Sequence, residues 1–110
     1  MPTSRPQRVT LPTLQLLAAF MSEPGRSDWF GLALARHTRL GAGTLLQCLY
    51  RLEHYGWVES RWENKEEAAR ERRPPRRFYQ LTGAGEIEAV AHLQQCMSGL
   101  LRLEPQRGRA

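Results

Sequence analysis

Apolar residues recur at helical spacing in four stretches of this chain and alternate with polar ones in two short stretches between them. Leu14, Leu17, Ala18 and Met21 stand at i, i+3, i+4 and i+7, so they share one helix face. Thr10 or Thr13 can cap that helix, with Pro12 tolerated in its first turn, and Glu23-Pro24-Gly25 ends it. A second helix is expected after Ser27 or Asp28, through Trp29, Phe30, Leu32, Ala33 and Leu34, ending near His37 or Thr38. The third opens on three small residues and Thr44 and carries Leu45, Leu49 and Leu52 on one face. Its opposite face presents Gln47, Tyr50, Arg51 and His54, and Gly56 stops it.

Trp57 to Trp62 then alternates as a strand, and Phe78 to Leu81 is a second one. Between them NKEEAARERRPPRR is polar throughout and reads as a long charged hairpin tip. A last helix starts at Thr82 or Gly83 and runs to about Leu103. Three helices, a hairpin and a closing helix predict a mostly α fold with a small β-hairpin. That order is a winged helix-turn-helix with an additional C-terminal dimerisation helix. The expected divisions are a flexible arm at 1–9, a winged-helix domain at 10–82, the closing helix at 83–103 and a fraying tail at 104–110.

The third helix and the hairpin tip carry the functional signal. A helix with one leucine face and one hydrogen-bonding face suits a DNA major groove. Ala42, Gly43, Thr44, Leu46, Gln47, Tyr50 and Arg51 are its candidate contacts. Arg70, Arg72, Arg73, Arg76 and Arg77 crowd the second half of the tip and can meet flanking phosphates or enter a minor groove. The alternatives are a core helix with a merely solvated polar face, and a solvated loop balanced by Glu63, Glu66, Glu67 and Glu71. Glu53 and Glu59 read as surface or hairpin-supporting charges, and Trp29, Trp57 and Trp62 as core and hairpin packing.

Charge strengthens the DNA reading. The 110 residues, 41% hydrophobic and 25% charged, fit one globular domain, with a net charge of +5 and a pI near 10.0. Lys65 is the single Lys among 16 basic residues; Arg suits bidentate phosphate or guanine contacts, although biased base composition in the genome gives the same preference. The closing helix is apolar at Ile87, Val90, Ala91, Leu93, Met97, Leu100 and Leu101, which cover almost half its circumference. That is more than packing on a small domain needs and predicts a second copy as partner, with Val90, Met97 and Leu101 as the seam.

Other chemistries find little support. Cys48 and Cys96 form no C-x-x-C pair and read as buried free thiols. His92 and Cys96 lie four apart but lack further ligands, so no metal or cofactor is expected. There is no Gly-rich phosphate loop, no Ser/His/Asp spacing and no paired carboxylates in an apolar setting, so no enzyme is expected. The opening MPTSRPQR has no apolar core of a signal peptide and no run is long enough to span a membrane, which predicts a cytoplasmic protein.

The segments LQLLA (Leu14 to Ala18), FGLALA (Phe30 to Ala35), GTL (Gly43 to Leu45), RLE (Arg51 to Glu53), GWVESRWE (Gly56 to Glu63) and RPPRRFYQLTGAG (Arg73 to Gly85) together resemble the PadR-like transcriptional regulators. The likeness is greatest to short members with a single C-terminal helix and spans roughly Leu11 to Leu103. It implies a homodimeric winged-helix repressor of a neighbouring gene, sometimes released by a small-molecule effector. The family shows Tyr-Pro after GTL where this chain has Leu46 and Gln47, with Tyr50 as the candidate replacement. The drug-binding Trp of some relatives has no counterpart in the closing helix. A winged-helix protein-interaction module, or a small-molecule sensor with DNA contact secondary, is the alternative.

Overall fold

Thr10 caps the first helix, α1 (Leu11–Ser22): its side chain accepts a hydrogen bond from the Thr13 backbone N–H, and Pro12 occupies the first turn. The computed structural model describes residues 9–107, with side chains through Leu101. Apart from Val9, the expected N-terminal arm lies outside the described residues, as do the last three of the tail. The buried face of α1 is Thr13, Leu16, Leu17, Ala19 and Phe20, so of the expected face only Leu17 is fully buried, Leu14 and Met21 are partly buried and Ala18 is exposed. Gly25, at φ 86, turns the chain after it.

The next element departs from expectation. Trp29 and Phe30 do not open a helix but form a short strand, β1 (Trp29–Phe30), and α2 (Gly31–Thr38) follows directly. Their side chains fit the helical spacing, but pairing with Tyr79 and Phe78 on a distant strand overrides it. Arg39 closes α2 in the left-handed region at φ 65, its N–H bonded to the Ala35 carbonyl. The third helix, α3 (Ala42–His54), starts two residues before Thr44, with Gly41 at the cap. It buries Leu45, Cys48, Leu49 and Leu52 at i, i+3, i+4 and i+7.

Past Gly56, whose φ of 80 needs no Cβ, comes β2 (Val58–Trp62). The charged tip is not all loop: α4 (Lys65–Arg70) occupies its first half. Asn64 caps it, accepting from the N–H groups of Glu66 and Glu67, and both glutamates stand in the first turn where the helix dipole favours them. The return strand, β3 (Arg77–Leu81), lies between its neighbours in an antiparallel sheet ordered β1-β3-β2. The expected two-stranded hairpin is therefore a three-stranded sheet.

The closing helix, α5 (Gly83–Arg107), runs four residues beyond the expected end, into the tail that was expected to fray. Thr82 seats it: the Thr82 hydroxyl donates to the Gly56 carbonyl at 2.7 Å and accepts from the Gly85 N–H at 3.0 Å. Gly85 comes so close to the α3–β2 turn that a Cβ there would lie 1.9 Å from the Trp57 carbonyl oxygen. Leu16, Leu17, Leu34, Leu49 and Leu52 form the driest part of the core, with Phe20, Trp29, Trp57, Val58, Tyr79 and Ala89 around them. Cys48 is buried as expected, but Cys96 is exposed because it lies on the part of α5 beyond the core.

Candidate nucleic-acid interface

Packing its leucine face inward leaves α3 with one outward stripe. Leu46, Gln47, Tyr50, Arg51 and His54 share it and line one shallow groove. Ala42, Gly43 and Thr44 are exposed in the first turn, and a Cβ on Gly43 would meet nothing within 4 Å. No side-chain bond caps this end of α3 and no acidic residue stands in its first turn, so its free N–H groups and positive dipole end are open to an anion. Leu46 and Tyr50 are 57% and 76% exposed. His54, which belongs to the expected polar face but not to the candidate contacts, completes the groove.

The wing is organised around a buried acid. Glu63 is 8% exposed at the root of the tip. Arg73 grips it with two donors at 2.5 and 2.8 Å, and the Arg76 backbone N–H donates to it at 3.2 Å. The Arg73 hydrogen bonds, helped by the Arg76 N–H and the two positive charges, hold the Glu63 carboxyl at about 2 against an ordinary 4.5, outweighing the opposing effect of burial. The same bonds to Glu63 shift the Arg73 guanidinium upward from its ordinary value. Beneath α4, Ala68 is buried and gives the wing a small core of its own.

The five arginines therefore split. Arg70 and Arg72 are exposed and have no acidic partner within 4 Å among the described residues. Arg73 is paired with Glu63 and, at 3.1 Å, with Glu71, which fixes the loop. Arg76 lies over the Phe30 ring at 3.8 Å. Arg77 donates to Ser60 at 3.1 Å, sits 3.8 Å from Glu53 and lies over Trp62 at 5.4 Å. Glu53 and Glu59 support the hairpin, bonding Ser60 and Gln80.

Two features escaped the sequence. Trp62 is 61% exposed and is not hairpin core like Trp29 and Trp57. Arg36 and Arg39 flank the α2–α3 turn in the open, and their closeness in sequence to the polar helix was the available signal. Among the described residues no group of His, Cys, Asp and Glu is arranged to hold a metal, and no helix is long and apolar enough to cross a membrane.

Comparison with known proteins decides what this architecture belongs to. The model of the transcriptional regulator PadR-like family matches residues 31–91, from the start of α2 into α5. The chain is a PadR-like transcriptional regulator. No curated protein matches it. Solved structures share its fold. A PadR family transcription regulator from Clostridium difficile R20291 is 19% identical with a TM-score of 0.71, over 88% of this chain and 97% of that one. The smu.1704 protein of Streptococcus mutans UA159 is 17% identical with a TM-score of 0.72, covering 90% and 88%. The adhesin competence repressor of Streptococcus pyogenes, 11% identical with a TM-score of 0.64 over 94% and 67%, carries the same core. The family and these neighbours support DNA-binding transcriptional regulation.

Proposed function

We propose that this PadR-like protein is a homodimeric repressor that binds a palindromic operator in double-stranded DNA. The observation that carries the proposal is the outward stripe of α3, where Leu46, Gln47, Tyr50, Arg51 and His54 stand without side-chain hydrogen bonds to the rest of the described chain. On a helix of this length such groups suit base edges in a major groove, and the uncapped first turn at Ala42, Gly43 and Thr44 suits a phosphate. Arg70 and Arg72 supply the electrostatic attraction, joined by Arg76 and Arg77 at the root of the wing.

The dimer rests on α5. Ile87, Val90, Met97, Leu100 and Leu101 are between 41% and 71% exposed, and Leu93 is half-buried. An apolar row of this kind on one helix is a surface that a second copy can cover, and two-fold pairing is the commonest way to do so. Two copies set two α3 helices about one DNA turn apart, which calls for a palindrome. Cytoplasmic location follows from the DNA partner.

The test is to enrich fragments of the source genome on the purified protein and sequence them. A recurrent inverted repeat upstream of a gene, whose transcription rises when the protein is removed, supports the proposal. Random recovery of fragments contradicts it. Sedimentation across dilution checks the assembly: a dimer at micromolar concentration that becomes a monomer with Met97→Glu and Leu101→Glu is expected, and a monomeric wild type defeats the palindrome.

A further inference from the structure

The end of α1, the turn after it, β3 and the first turn of α5 enclose a cleft of about 260 Å³. Phe20, Met21 and Leu81 give it an apolar lining, with Phe20 buried beneath; Arg26, Gln80 and Glu86 are its polar groups. Arg26 is already engaged. Its Nε donates to Asp28 at 2.6 Å, a second nitrogen reaches Glu23 at 3.3 Å, and its guanidinium lies 3.9 Å from the centre of the Trp29 ring. Gln80 turns its amide N–H to Glu59 at 2.7 Å, which leaves its amide oxygen to accept. Glu86 has no basic partner within 4 Å among the described residues. Its place in the first turn of α5 suits the helix dipole, but a dipole needs no apolar cleft beside it. None of the exposed apolar row of α5 lines the cleft, so it lies within one copy and apart from the proposed seam.

We propose that this cleft is an effector site and that it takes a small organic cation with an apolar body. For its effect on DNA the inference rests on the DNA-binding proposal above; for its ligand it rests on the cleft. Three carboxylates, of Glu23, Asp28 and Glu86, stand around the cleft against the one guanidinium of Arg26, in a chain whose net charge is +5. An anion would meet a guanidinium whose donors already face two acids. A neutral apolar ligand would cover the Glu86 carboxylate and the Gln80 oxygen without supplying a donor, which is costly. An ammonium group satisfies both, and its apolar body displaces water from Phe20, Met21 and Leu81. The volume falls short of the ~300–1,000 Å³ of drug-sized sites, so the ligand is small. Such an occupant touches α1, β3 and α5 at once. The start of α5 is already fixed to the end of α3, by Thr82 on the Gly56 carbonyl and by Gly85 against the Trp57 carbonyl. A ligand that draws Glu86 toward the end of α1 therefore acts on the helix that, in the proposed dimer, sets the spacing of the two α3 helices, and operator affinity follows that spacing.

The test uses the full chain and three probes, phenethylammonium, phenylacetate and ethylammonium, with binding measured by calorimetry and by the shift in thermal midpoint. Phenethylammonium is expected to bind with a Kd below about 10 mM and to raise the midpoint. Phenylacetate, which keeps the ring and reverses the charge, and ethylammonium, which keeps the charge and lacks the ring, should not bind measurably. Glu86→Gln should weaken phenethylammonium binding by roughly twofold to fivefold. Because Glu86 is exposed, the midpoint of the unliganded variant should stay close to that of wild type. The regulatory part is read on the operator selected in the enrichment above: saturating phenethylammonium at constant ionic strength should change its affinity by about fivefold or more. No binding of phenethylammonium, equal binding of phenylacetate, or wild-type binding in Glu86→Gln overturns the site. Binding that leaves operator affinity unchanged overturns its role as an effector site and leaves the DNA reading standing. Random recovery in the enrichment falls on the DNA reading and with it the effector role, while the calorimetry still decides the cleft.

Discussion

On α3, five exposed side chains from Leu46 to His54 make no hydrogen bond to the rest of the described chain, whereas in the wing Arg73, Arg76 and Arg77 are all engaged by neighbouring residues. The two regions both present polar and charged groups, yet they differ in what those groups do. The helix can leave its polar stripe free because Leu45, Cys48, Leu49 and Leu52 already secure it from the other side. The wing has almost no apolar residue to hold it and uses charge in that role, with Glu63 and Arg73 at its root. A count of arginines therefore overstates the charge a wing offers to DNA.

The largest expected effect comes from removing the support under α3. Leu49→Ala should destabilise the protein by about 2–5 kcal/mol, since Leu49 is 1% exposed and the surrounding core cannot fully collapse. Chemical denaturation would show the loss, and a cost below about 1 kcal/mol would mean that α3 is held by something other than this core. Gln47→Ala or Arg51→Ala should leave stability unchanged but cost about 1–3 kcal/mol on the selected operator and much less on mixed-sequence DNA. Equal losses on both would move base reading away from α3.

Wing substitutions sharpen the contrast. Arg70→Gln with Arg72→Gln should lower the salt slope by about two with the fold intact. Arg73→Gln should act differently, loosening the segment from 64 to 72 so that its amides exchange faster with solvent. Glu63→Gln should loosen the same segment. Because the Glu63 carboxyl is held at about 2 in the folded protein and titrates near 4.5 when free, its stabilisation is present in full above pH 4.5 and fades as pH falls toward 2. The protection factors of the wing amides, which are exchange rates relative to the unfolded chain at the same pH, should fall as pH falls across that window in wild type and lose this dependence in Glu63→Gln. The smallest effect is expected at Arg72, held at φ 57. Arg72→Gly relieves that backbone strain and should gain at most about 1 kcal/mol of stability while weakening DNA binding.

The contrast also explains which parts of the fold were legible in the sequence. Helices with a repeating apolar face, α1, α3 and α5, were evident from spacing alone, as was the strand alternation around Val58 and Phe78. The short β1 was not, because Trp29 and Phe30 satisfy a helical pattern locally and only their partners on β3 draw them into a sheet. The wing helix α4 was hidden for the opposite reason. Its one buried residue is Ala68, which gives no apolar period to read, and the sign it did carry was the Asn64 cap followed by two glutamates. At the site, the candidate contacts on α3 emerged as exposed together. The role of Arg73 could not be read, since it depends on burial of a glutamate ten residues away. Trp62 was misplaced because an indole in a hairpin is ordinarily packing; it shares its strand face with buried Val58 but stands at the far end of β2 and is 61% exposed.

The central claim is that α3 reads the sequence while the wing holds the duplex. It is tested most directly by measuring Gln47→Ala and Arg70→Gln/Arg72→Gln proteins against the selected operator and a mixed-sequence duplex in parallel. The account predicts that the ratio of the two affinities falls for Gln47→Ala and stays at the wild-type value for the arginine pair, whose absolute affinities both drop. A ratio that is unchanged in Gln47→Ala and collapses in the arginine pair would contradict it.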